Sequence, residues 1–377
     1  MNEQQLISQL LGDLADSLDV PADLQRAAAV EYNDLGSFLK ERDHEDGRRD
    51  PDIFPQGSSS TGTVVRPITR KDDFDVDLVY LRPLQRESIT QEQLKEEAHS
   101  RLQAYLTDLE RRKKEVPKME TKGRCLALVY PRWHMDVVPM IPEELSSTTN
   151  SKLLITDRKE RAWLVTDPKG YRDWFLRKSD FTKLREGIAM KAGRPVEQIP
   201  AWEVKSSLQR AVQVLKRHRD WHFRLTEDKK PASIVLTTIA ANNYGGQNEI
   251  ADALVAFCRG ARNLEREGGV RWVRNPTIRE ENFIEKWKDD ATLETEFDKW
   301  VDKLERDLVA LGKARGLQNV GIHMQEMVGD VAKSVLEKFG GTMRTEREEG
   351  RLRVSSMGVL GATGVAAVAP HTFYGGA

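Results

Sequence analysis

The chain has 377 residues and 32% of them are charged, yet its formal net charge is only −1. No sign prevails, so bulk affinity for nucleic acid is not expected. The only cysteines, Cys125 and Cys258, exclude a disulfide framework or a cysteine-built zinc site, and with no signal-like N-terminus or long apolar run the chain reads as cytoplasmic, without a membrane partner.

The length suits one large domain or two lobes, with a helical or mixed architecture. Leu6, Ile7, Leu10, Leu11, Leu14 and Leu18 recur at helical spacing. Asp19 and Pro21 end that helix and open a second that runs to about Arg42. Glu45 to Thr69 is rich in Asp, Pro, Gly, Ser and Thr and reads as loop around a short strand near Ile53. A strand through Phe74 to Leu81 follows, then a charged helix over Thr90 to Lys114. Cys125 to Tyr130 and Met135 to Met140 are strand segments, with a turn at Pro131-Arg132-Trp133-His134. Residues 143 to 200 give mixed signals, with a surface loop at Ser146 to Asn150.

From Trp202 the pattern turns helical. Val204, Leu208, Ala211, Val212 and Leu215 share one face, and Lys216-Arg217-His218-Arg219 put positive charge at the helix end, where such residues are usually solvated. Further helices fit Ser233 to Ala241, Glu249 to Arg266 and Glu280 to Arg315. After Arg353 charge disappears and Gly, Ala, Val, Ser and Pro dominate, which predicts an exposed, mobile tail.

The chemistry concentrates in Asp75-Val76-Asp77. Phe74, Val76 and Leu78 alternate with the two acids, so a strand here buries one face and sets both carboxylates on the other. Carboxylates that close repel one another unless a cation lies between them, and hard divalent cations prefer carboxylate oxygens. Asp136, in the strand-like Met135-Asp136-Val137-Val138-Pro139, is the best third acid for a two-ion site of the kind that carries phosphoryl transfer. Upstream, Gly57-Ser58 forms a small-residue turn whose amides and hydroxyl suit phosphate oxygens. His218 and His222 lie four apart, but without a third ligand they do not make a zinc site. Arg66, Arg70 and Lys71 read as a solvated charged loop.

In this order, Gly57-Ser58, Asp75-Val76-Asp77 and Met135-Asp136-Val137-Val138-Pro139 resemble the motifs of the cGAS/DncV-like nucleotidyltransferases, or CD-NTases, of bacterial anti-phage signalling. Lys216 and Ser233 look like the lysine and serine with which this family holds the donor triphosphate. Asn275-Pro276, Glu281-Asn282-Phe283 and Trp287 look like a segment of its bacterial members. The resemblance touches most of residues 1 to 320.

It implies an α+β fold: a polymerase-β-like nucleotidyltransferase core with N-terminal helices over 1–160, a helical lobe over 161–345, a flexible tail over 346–377, and an active site in the cleft between core and lobe. It implies catalytic, metal-holding Asp75, Asp77 and Asp136, nucleotide-binding Gly57, Ser58, Lys216 and Ser233, and two magnesium ions, replaceable by manganese. The implied reaction joins ribonucleoside triphosphates such as ATP and GTP, with release of pyrophosphate, into a cyclic di- or trinucleotide, by default a purine cyclic dinucleotide, that activates an anti-phage effector. The ending Pro370 to Ala377 is similar to family C-termini conjugated at the last residue, here Ala377, by a ubiquitin-transfer-like enzyme. The alternatives are a linear-oligonucleotide or RNA-directed enzyme of the same fold and an inert nucleotide-binding scaffold. Three intact acids oppose the scaffold, since each costs stability without a cation.

Overall fold

The computed structural model describes residues 3–41, 51–68, 74–145, 151–156, 163–193, 195, 204–354, 360–361 and 366–368. The loop expected at 146–150, Arg70, Lys71 and the C-terminal eight residues, with Ala377, lie outside them. The chain forms two compact units, neither continuous in sequence. A sheet unit comprises Val20–Lys205 and Arg274–Phe283, and a helical unit comprises Met1–Asp19, Ser206–Val273 and Ile284–Ala377.

In the sheet unit, the expected second helix is α2 (Ala22–Glu41). Strand β1 (Asp52–Pro55) leads into a five-residue helix, α3 (Gly57–Thr61), and then into β2 (Phe74–Leu81). The charged helix α4 (Gln91–Arg111) starts where a capping box forms: Thr90 accepts from the Gln93 amide while Gln93 reaches back to the Thr90 amide. Strands β3 (Lys118–Lys122), β4 (Cys125–Val129), β5 (Trp133–Pro142), β6 (Leu153–Ile155) and β7 (Leu164–Thr166) follow. They form a sheet in the order β1-β2-β5-β4-β3, with β6 added to β5 and β7 to β6. Only the β2–β5 pairing is parallel, and it aligns Asp75 with His134 and Asp77 with Asp136.

Alternation then sorts the side chains. Phe74, Leu78, Tyr80, Met135 and Val137 pack with Leu35 and Leu39 of α2 and Leu102 and Leu109 of α4. On the opposite face Val79, Val138 and Met140 pack with Phe54 and Leu153. The acids lie on this second face, at the end of the strands beyond that smaller apolar cluster. Two helices complete the unit, α5 (Pro168–Lys178), capped by the Asp167 carboxylate, and α6 (Phe181–Ala192), in the stretch whose sequence signals were mixed.

The helical unit gathers α1 (Glu3–Ser17), α7 (Ser207–His222), α8 (Ser233–Asn242), α9 (Ile250–Arg262), α10 (Ala291–Lys313), α11 (Gly316–Val328) and α12 (Val331–Glu348). Helix α1 belongs here, not with the core as expected from its place in the sequence: its stripe of Leu6, Leu10, Leu14 and Leu18 is buried, and it packs on α7, α9 and α12. Arg210 of α7 pairs with Asp16 and Asp19 at the end of that helix. The helix expected from Glu280 begins only at Ala291, because Asp290 caps it through the Thr292 amide. After α12, the described tail residues pair as three two-residue strands, Arg353–Val354, Leu360–Gly361 and Ala366–Ala367. Among the described residues no helix is long and apolar enough to cross a membrane.

Candidate active site

The β2–β5 register assembles the site. Asp77 and Asp136 are cross-strand neighbours, Asp75 lies two residues before Asp77 on the same face, and Ala127 of β4 flanks Asp136 on its other side. Gly57-Ser58 comes to the same place, as the start of a short helix and not as the turn expected. The Gln56 amide donates to the Asp77 carbonyl at 2.9 Å and pins that helix start to β2. Gly57 has φ +57°, and a Cβ there would lie 2.7 Å from Asp77 Oδ2, so a side chain is excluded on both counts. Two further hydroxyls secure the helix: Ser60 and Thr61 both donate to the Gly57 carbonyl.

The electrostatics are those of acids crowded on one side of a sheet. Partial loss of hydration, and after it the Asp136 carboxylate, push the Asp75 carboxyl above its ordinary pKa, while His134 draws it down. Burial, and then Asp136, push the neighbouring Cys125 thiol up to about 11, so it stays protonated. Asp136 Oδ1 is buried without a hydrogen-bond partner. A buried orphan oxygen costs about 1–3 kcal/mol, more when charged, unless something occupies it.

Those observations fit hard divalent cations. All three donors are carboxylates, one oxygen is unsatisfied, and Gly57 leaves Asp77 unobstructed. Among the described residues no three His, Cys, Asp or Glu side chains converge closely enough to cage an ion on their own. Magnesium needs no such cage, since it is commonly held by one or two carboxylates together with substrate phosphates and water.

Lys216 and Ser233 belong to the helical unit. Lys216 is not at a solvated helix end: it is 6% exposed on α7, which is surrounded by α1, α8, α9, α10 and α11. Ser233 opens α8, and its hydroxyl accepts a hydrogen bond from Arg219 Nη1 at 2.9 Å. Of the two histidines four apart, His218 is spent on structure: its Nε2 donates to Asp307 Oδ2 and its Nδ1 accepts from Trp300 Nε1, both at 2.9 Å. Sequence reasoning missed His134, Cys125 and Arg219. His134 was readable, for it precedes Asp136 by two residues and must share its face, whereas Cys125 required the register of β4 on β5.

Comparison with known proteins points to one group of enzymes. Residues 5–178 match the family described as Second Messenger Oligonucleotide or Dinucleotide Synthetase domain. A c-di-GMP synthase from Roseivirga ehrenbergii is 29% identical over 99% of this chain and 98% of its own length. These likenesses support a CD-NTase. Among solved structures, the CD-NTase CdnG of Bradyrhizobium diazoefficiens, in complex with GTP, superposes with a TM-score of 0.70 at 20% identity, covering 89% of this chain and 99% of that one. E. coli CdnC in a complex with HORMA gives a TM-score of 0.61 at 14% identity over 86% and 97%. The structural matches give this chain an α+β fold with a polymerase-β-like core, and the synthetase domain and the named synthases support nucleotidyltransferase activity.

Proposed function

We propose that this CD-NTase makes cyclic di-GMP from two molecules of GTP. The observation that carries the reading is the registered set of acids: Asp77 beside Asp136, Asp75 on the same face, and Gly57 held against the Asp77 carboxylate. The choice of GTP follows the Roseivirga relative, whose name is c-di-GMP synthase and which aligns along nearly the whole chain.

In this reading Asp75, Asp77 and Asp136 hold two magnesium or manganese ions. When bound, such ions acidify an attacking hydroxyl and offset charge on the triphosphate and the departing pyrophosphate. The chain's residues supply position: amides at Gly57 and the Ser58 hydroxyl take phosphate oxygens, and Lys216 and Ser233 keep the triphosphate-holding role that their family positions imply. A ribose hydroxyl of one GTP attacks the α-phosphorus of the other. A phosphorus–oxygen bond forms, the bond to pyrophosphate breaks and the hydroxyl proton passes to water. The same displacement repeated on the linear intermediate closes the ring. The product then acts on an anti-phage effector in the cytoplasm, and conjugation of Ala377 by a ubiquitin-transfer-like enzyme is part of the same proposal.

The test is incubation of purified protein and magnesium with GTP alone, ATP alone and all four ribonucleoside triphosphates. A phosphatase-resistant product of cyclic di-GMP mass from GTP alone is expected. Only linear, phosphatase-sensitive products, or a product requiring ATP, would overturn the assignment.

A further inference from the structure

The three acids are not held equally. Asp77 lies in mid-strand against Gly57, with its own carbonyl bound by the Gln56 amide. Asp136 sits between Asp77 and Ala127 in the middle of the sheet. Asp75 is the exposed one of the three, one residue from the start of β2, where strand pairing does least to restrain a side chain. It also shares its face with Asp136, whose charge repels it. Left to itself this carboxylate would turn outward to water.

Two side chains oppose that: Lys122 attracts the carboxylate by its charge, and His134 meets it directly. His134 is the register partner of Asp75 across the parallel pairing and lies two residues before Asp136, so all three share a face. Its Nδ1 is 3.2 Å from Asp75 Oδ1. An ionised carboxylate only accepts, so Nδ1 carries the proton and donates. The imidazole is 22% exposed against 59% for the Asp75 side chain, which makes it the more firmly seated partner.

We propose that His134 is a positioning residue of the nucleotidyl-transfer site: its Nδ1–H holds the Asp75 carboxylate on the face it shares with Asp77 and Asp136, where a divalent cation arriving with substrate phosphates and water meets it. Partners of this kind fix ligand orientation, and their loss typically weakens metal binding about 10–100-fold. The inference rests on the metal-dependent reading above and assigns to His134 no contact with nucleotide.

The test measures manganese binding, not turnover, from the free-ion electron paramagnetic resonance signal with a non-hydrolysable GTP analogue present. Three proteins are compared at matched thermal stability: wild type, His134→Leu and His134→Asn, whose amide can place an N–H where Nδ1 stands. His134→Leu is expected to bind manganese about tenfold more weakly, His134→Asn to recover most of that loss, and the KM for GTP to hold in both while the half-saturating metal concentration rises in the leucine variant. Equal manganese affinity in wild type and His134→Leu would overturn the positioning role while leaving the metal site standing. A wild-type protein that takes up no manganese overturns the metal-dependent reading itself, and this inference with it.

Discussion

Two clusters of like charge occupy the two units, and the fold treats them in opposite ways. In the helical unit, Lys216, Arg217, His218 and Arg219 are consecutive on α7 and are 6%, 3%, 2% and 6% exposed. Successive helical residues point about 100° apart, so this burial requires neighbours all round α7. Each side chain is engaged: Arg219 with Asp220, Ser233 and the Pro231 carbonyl, His218 with Asp307 and Trp300, and Lys216 and Arg217 in further contacts, although Arg217 Nε itself is buried without a hydrogen-bond partner. In the sheet unit the acids stand on one face, not round an axis, with one imidazole among them and a buried oxygen unsatisfied. Charge that is distributed and paired builds a core. Charge that is gathered on one face, with a buried carboxylate oxygen unsatisfied, is poised for a cation.

The strongest way to break this comparison is to neutralise an acid of the sheet cluster and, separately, an acidic partner of the α7 cluster. Asp77→Asn and Asp136→Asn should each lower product formation on the order of 10³-fold, roughly 4 kcal/mol of transition-state stabilisation, with thermal stability unchanged or raised because like-charge repulsion is relieved. Product yield and the melting curve check it together; a stability loss as large as the activity loss would make the acids structural. Asp307→Leu should do the reverse. It strips the buried His218 N–H of its acceptor and should cost about 1–3 kcal/mol in urea unfolding, without changing which nucleotide is made.

A smaller effect sharpens the sheet side. Gly57→Ala places a Cβ 2.7 Å from Asp77 Oδ2 at φ +57°. The backbone term alone should cost about 1–2 kcal/mol. The displaced carboxylate should also raise the magnesium concentration for half-maximal rate, and an alanine variant whose metal dependence matches wild type would remove Gly57 from the site.

How much of this was legible in sequence follows from the same contrast. Asp75, Asp77 and Asp136 could be read because a strand's two-residue period assigns faces without knowing the neighbours, and α1, α2 and α4 because their apolar stripes and caps are local. What needed partners was lost. Strand β3 (Lys118–Lys122) has no buried residue and is a strand only through its pairing with β4, and α12 is charged along much of its length yet buries Ala332, Val335 and Phe339. Gly57-Ser58 was found as a phosphate turn, whereas its nearest neighbour is the Asp77 carboxylate, a tertiary fact. The basic run on α7 was assigned to solvent for the converse reason, since its acidic partner Asp307 lies 89 residues further along the chain.

The smallest expected effect concerns pH and tests whether the α7 cluster is as settled as its pairing suggests. Burial drives the His218 pKa below its ordinary 6.5, with Asp307 opposing, and His222 one turn on is lowered as well, chiefly by burial. Below pH 6.5 the unfolded chain therefore takes up protons at these positions that the folded chain refuses. Stability should be full above 6.5 and should decline as the pH falls from there toward the depressed folded values, with His218 contributing at most one proton to the slope. Urea unfolding at pH 7.5, 6.5 and 5.5 measures it, and His218→Gln should flatten the decline by its share while lowering stability at every pH. Stability that rises on acidification would mean that His218 is held protonated against Asp307, and that the helical cluster is itself an unneutralised charge.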